Sequence, residues 1–169
     1  MWEILPDLFL GDRGDARDRD RLRTRGITHV VNCSKELPCH FEGEFEYLWL
    51  RMEDPDPAFA DKIAAFCKFM DAGRRRGKVM VHCTGGVSRS PAVILAYLCH
   101  LDGSLEAAVA RLSRAVQTGI DEDFFYPLAR FHGRELSRAE IRALQQRLLG
   151  RAEPVVARDR PRDGRFRAV

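Results

Sequence analysis

Apolar residues along this chain fall in short blocks separated by polar, glycine-rich or proline-rich breaks. WEILPDLFLGD (2–12) has two such blocks around Pro6-Asp7 and predicts two short strands joined by a turn, closed by Gly11. Residues 12–25 alternate arginine with aspartate around Ala16 and Leu22, a pattern that predicts a surface helix laced with ion pairs and ended by Gly26. ITHVVNCS (27–34) is β-branched and apolar and predicts a buried strand. A loop with Pro38 and Gly43 leads to a second strand, FEYLWL (45–50), after which RMEDPDPAF breaks regular structure with two prolines. From about Ala58 to Ala72, Ile63, Phe66, Phe69 and Met70 recur at helical spacing, with Gly73 as the expected stop. KVMVHC (78–83) reads as a short apolar strand. The helix that follows starts near Ser90, tolerates Pro91 in its first turn and ends before Gly103; it is apolar nearly all round, hence central. Ser104 caps a further helix to about Val116, another begins near Asp121, and Ser137 with Glu140 forms a capping box opening a last helix stopped by Gly150.

Strands that alternate with helices predict an α/β fold with a partly parallel sheet and helices on both faces. Hydrophobic residues make up 45% of the 169, enough to bury a core, and no apolar run is long enough to span a membrane. The first residues lack a basic and apolar leader pattern, so a cytoplasmic protein is expected, with the nucleus as the other location. Residues 151–169 hold six arginines against three acidic residues, which accounts for the whole net charge of +3. They are expected to form a basic extended tail behind a neutral folded domain at 1–150. A neutral body argues against a nucleic-acid partner. The five cysteines are odd in number and lack C-x-x-C spacing, which argues against a disulfide framework. Cys33, Cys39 and His40 lack a fourth ligand at finger-like spacing, so no metal site is expected.

The candidate chemistry lies in VHCTGGVSRS (81–90), placed between a strand and the central helix. Ligands of α/β folds bind beyond the carboxyl ends of strands, and a helix N-terminus favours an anion. Thr84, Gly85, Gly86, Val87, Ser88 and Arg89 can curl into a ring of N–H donors, with both glycines expected to permit its backbone angles and close approach. Cys83 sits at the base of that ring, where a helix end and a cation favour the nucleophilic thiolate. Arg89 presents a planar fork suited to two phosphate oxygens. This arrangement is what attack on a phosphate monoester needs. A nucleotide-binding loop needs a lysine after its glycines and a hydrolase elbow needs G-x-S-x-G; neither is present.

HCTGGVSRS, with ITHVVNCS upstream and AVILAYLCH downstream, resembles the dual-specificity branch of the cysteine-dependent protein tyrosine phosphatases, from about Ile4 to Gly150. The resemblance implies a central mixed sheet flanked by helices, a shallow cleft, no cofactor or metal, and a cysteinyl-phosphate intermediate. It implies Cys83 as nucleophile, Arg89 as phosphate clamp, His82 as the residue that orients the loop, and Ser90 as the hydroxyl that helps the thiolate leave. It also implies an acid after the strand at 45–50. Glu53, Asp54 and Asp56 are available; Asp54 fits the register best, with Asp56 second and better suited to a turn or cap. Where the family often has an asparagine after the second long helix, this chain has Asp121, which leaves one outer hydrogen bond of the loop open to question. Leu128 and Phe131 are expected to keep core contact.

The expected substrate is a phosphorylated protein, at tyrosine and at serine or threonine. An RNA 5′-phosphatase reading is weakened because relatives of that kind follow HCT with histidine, where Gly85 stands. A phosphoinositide phosphatase would place lysines in the loop, and residues 84–88 are uncharged. A phospho-residue binding module would lack the nucleophile or the clamp, and this chain has both.

Overall fold

The computed structural model describes residues 1–150; the tail expected at 151–169 lies outside the described residues. Five strands form one sheet: β1 (Trp2–Leu5), β2 (Leu8–Gly11), β3 (Ile27–Ser34), β4 (Glu46–Met52) and β5 (Lys78–His82). Their spatial order is β1-β2-β5-β3-β4. The β1–β2 hairpin is antiparallel, and β2–β5, β5–β3 and β3–β4 are parallel, so the sheet is mixed. Among the described residues there are seven α-helices in chain order, α1 (Arg13–Ala16), α2 (Arg19–Thr24), α3 (Phe59–Arg76), α4 (Arg89–Asp102), α5 (Leu105–Ala115), α6 (Phe125–Phe131) and α7 (Arg138–Leu149), with a 3₁₀ turn at Glu122–Phe124 leading into α6.

Strand side chains alternate between faces, and this divides the core. Leu8, Leu10, Val31, Val79 and Val81 join the large cluster built with α3 to α7. Phe9, Val30 and Met80 face the other way, into a smaller cluster with Ala16, Leu22 and Phe45 under α1 and α2. Helices therefore flank both faces, unequally. The central helix α4 is buried from Arg89 to Cys99, as its apolar composition requires.

Three local expectations change. Residues 12–25 form two short helices because Asp12 and Asp18 each cap a new one: Asp12 accepts from the Gly14 and Asp15 amides, and Asp18 from the Arg21 amide. Helix α3 runs through Gly73 to Arg76. A Cβ at Gly73 would lie 2.8 Å from Val79 and 2.9 Å from His29, so this glycine lets the helix lie close on the sheet. Phe131 is 46% exposed, whereas Phe124, Phe125, Leu128 and Ala129 are buried. The inward stripe of this region passes through those four positions, and Phe131 lies off it at the end of α6.

Candidate active site

The segment from Cys83 to Arg89 connects β5 to α4, as the alternation of patterns requires. Its backbone is pinned from outside: the Thr84 carbonyl accepts from the Arg13 amide at 3.1 Å, and the Val87 carbonyl from the Gly119 amide at 3.1 Å. In a trans peptide the carbonyl and the next N–H point opposite ways. Outward carbonyls at Thr84 and Val87 therefore turn the Gly85 and Ser88 amides inward. Gly86 has φ of +70°, and a Cβ there would lie 3.0 Å from the Gly11 carbonyl oxygen. Gly85 needs no such freedom, because a Cβ there meets only Val87, at 3.8 Å. The expectation that both glycines are required holds for Gly86 alone.

Cys83 is buried at the base of this loop. Its Sγ accepts from the Gly86 amide at 3.2 Å and from Ser90 Oγ at 3.2 Å. His82 lies under the loop with Nδ1 3.4 Å from the Cys83 carbonyl oxygen, to which it can only donate. Burial holds the imidazole neutral, pulling its pKa down to about 4. Because Asn32 is in register with His82, Cys33 follows on the strand beside Cys83. Burial first, and then the neighbouring Cys83, push the Cys33 thiol well up.

Arg89 turns back over the loop and is 9% exposed. Its Nη1 and Nη2 donate to Glu36 Oε2 and Oε1 at 2.8 and 2.6 Å, a two-point fork. Nη2 also reaches Thr84 Oγ1 at 3.1 Å, and Nη1 the Met52 carbonyl at 3.3 Å. Nε makes no hydrogen bond among the described residues, and Asp54 Oδ2 lies 3.7 Å from it. The hydrogen bond from Arg89 holds the Glu36 carboxyl down at about 2, and one from the Thr84 hydroxyl adds to this against the desolvation that opposes it. Glu36 was not a candidate on sequence. Its position just beyond the carboxyl end of β3, beside a strand that ends in the Cys83–Arg89 loop, is the signal that could have found it.

Of the three candidate acids, Asp54 is the one that meets the loop. Its Oδ1 accepts from Ser88 Oγ at 2.7 Å. Asp56 is buried and turned inward, accepting from the Ala58 amide at 2.8 Å and pairing with Lys62 at 2.5 Å. Glu53 pairs with Lys35 at 2.6 Å on the surface. Asp121 reaches the loop through its backbone: its amide donates to Ser88 Oγ at 3.4 Å, while its side chain caps the turn at Asp123. An asparagine is therefore not needed for that contact. The structure brings Cys83, Arg89, Ser90 and Asp54 to one place at the carboxyl edge of the sheet.

The family model for the dual specificity phosphatase catalytic domain matches residues 8–121. Human dual specificity protein phosphatase 4 is 42% identical over 98 residues, which span 57% of this chain and 25% of that protein. Human dual specificity protein phosphatase 1 is 41% identical over 101 residues, 57% of this chain and 27% of that protein. The match thus spans about a quarter of these relatives' length. The crystal structure of human DUSP28 superposes with a TM-score of 0.74 at 28% identity, covering 79% of this chain and 96% of that one. The human tyrosine phosphatase-like serine/threonine/tyrosine-interacting protein gives 0.70 at 27% identity, covering 79% and 95%.

Proposed function

Because the chain belongs to the dual specificity phosphatase catalytic domain family, we propose that it hydrolyses phosphotyrosine and phosphoserine or phosphothreonine in proteins through a cysteinyl-phosphate intermediate. The observation that carries this reading is the seat of Cys83, whose sulfur receives two hydrogen bonds under a loop closed by Arg89. Phosphate oxygens enter the ring of amides, and Arg89 meets them along its Nε edge while Glu36 keeps the opposite edge. Cys83 attacks phosphorus, and Asp54 protonates the departing oxygen. Asp54 then takes a proton from water, which attacks the phosphocysteine. The Ser90 hydroxyl stabilises the sulfur as it leaves.

His82, kept neutral by burial, donates to the Cys83 carbonyl. Among the described residues no helix is long and apolar enough to cross a membrane, and the uncharged residues 84–88 favour a phosphoprotein over a polyphosphorylated lipid. The discriminating experiment is turnover of para-nitrophenyl phosphate and of phosphopeptides by wild type and Cys83→Ser. Wild-type turnover lost in the variant supports the phosphatase. Phosphopeptide binding without any wild-type turnover would make it a binding module instead.

A further inference from the structure

A groove of about 530 Å³ opens between the segment that follows Asp54 and the outer face of the 3₁₀ turn Glu122–Phe124 and α6. Pro55 and Pro57 form one wall, and Asp123, Tyr126, Pro127 and Arg130 the other. The second set is spaced i, i+3, i+4 and i+7, one side of a helix, while Phe124, Phe125, Leu128 and Ala129 fill the opposite side. This is therefore a face left over by the core.

The residues just before the two walls meet at Ser88 of the loop. Its Oγ donates to Asp54 Oδ1 at 2.7 Å and accepts from the Asp121 amide at 3.4 Å. One wall begins at the residue after Asp54, the other two residues after Asp121. Asp54 and Asp121, both hydrogen-bonded to Ser88 of the loop, thus lead directly into the two walls.

The lining narrows what can bind. Prolines have no N–H to donate, so the three here cannot pair with an added strand as a sheet edge would. Asp56, also at the groove, has its carboxylate committed to Ala58 and Lys62. What is offered is proline faces and one tyrosine ring, together with the exposed side chains of Asp123 and Arg130. Such a surface takes an aliphatic or proline side chain.

We propose that this groove binds an apolar residue flanking the phosphorylated residue of the polypeptide substrate, and so sets sequence preference. The proposal rests on the phosphatase reading above. It is tested by kcat/KM for two phosphopeptides that differ only in flanking leucine and proline against flanking serine and glycine. Para-nitrophenyl phosphate, which reaches only the loop, serves as the control. Burial of one such side chain corresponds to a preference of roughly tenfold for the apolar peptide. Tyr126→Ala and Pro127→Ala should each reduce that preference to within about twofold, with turnover of the small substrate unchanged; Tyr126→Phe, which keeps the ring, should retain it. Equal rates on the two peptides in active wild type would overturn the groove assignment. No turnover of either substrate class would instead overturn the phosphatase reading. Removal of residues 151–169 is the remaining arm: a rise in peptide turnover without change on the small substrate would give the groove to the chain's own terminus and overturn the proposal.

Discussion

The two walls of the cleft are built by different means. The Cys83–Arg89 wall is a backbone object, fixed by strand β5, by helix α4, and by the amides of Arg13 and Gly119 on its carbonyls. The facing wall is made of side chains from two unrelated loops: Glu36 after β3 and Asp54 after β4, each held by a polar contact to Arg89 or Ser88. A backbone wall fails in an all-or-none manner when its path is disturbed. A side-chain wall fails by degrees, and its failure depends on pH.

Cys83→Ser is the largest test, because it removes the proposed nucleophile and leaves the backbone wall standing. Turnover should vanish while binding of a phosphopeptide, followed by calorimetry, persists. Loss of binding along with turnover would mean that the wall depends on the sulfur. Asp54→Asn comes next. With a leaving group that needs protonation, kcat should fall by about 10²–10⁴-fold, and far less with para-nitrophenolate. An equal fall with both would mean that Asp54 acts through Ser88 and not as an acid. Glu36→Ala uncovers two guanidinium donors in a nearly buried arginine and should lower kcat/KM by about 10–100-fold, with a parallel loss of inhibition by inorganic phosphate. Glu36→Gln, which keeps one acceptor, should fall between.

The glycine pair separates backbone path from sequence motif. Gly86→Ala forces a side chain into a left-handed conformation against the Gly11 carbonyl and should cost about 1–2 kcal/mol of stability or more, with activity lost. Gly85→Ala should stay within about 0.5 kcal/mol in denaturant titration. Similar losses at both positions would show that the loop, not one residue in it, sets the constraint.

Acid tests the comparison through stability alone. His82 has a folded pKa of about 4 against 6.5 for the free side chain. Below 6.5 the unfolded chain takes up a proton that the native chain does not, so stability falls as pH drops from 6.5 toward 4, by about 3 kcal/mol at most. Glu36, held at about 2 against 4.5, adds stability that is present above 4.5 and is lost between 4.5 and 2. Thermal melts across this range should show both windows. His82→Gln should flatten the upper one and Glu36→Gln the lower.

Much of this molecule is legible along the chain. The strands at 27–34 and 78–82, the helix at 89–102 and the Ser137–Glu140 capping box follow from period and cap chemistry, which act within a few residues. The order of Cys83, Gly86 and Arg89 is equally local, because one tight loop must present them together. The split of residues 12–25 into two helices is also local, set by the caps at Asp12 and Asp18, whereas two other differences lie where a distant surface decides. Gly73 looks like a helix stop until His29 and Val79 are placed beneath it. Phe131 looks like core until the inward stripe of its helix is fixed by its neighbours.

The sequence by itself determined the fold class, the loop and the cysteine at its base, since these depend on periodicity and on residues close together in the chain. The resemblance to the family favoured Asp54 over Asp56 by register; only the tertiary structure joined Asp54 to Ser88, added Glu36 and opened the groove beside α6. Those features arise where segments far apart in the chain meet, and no local pattern records which side chain will face which.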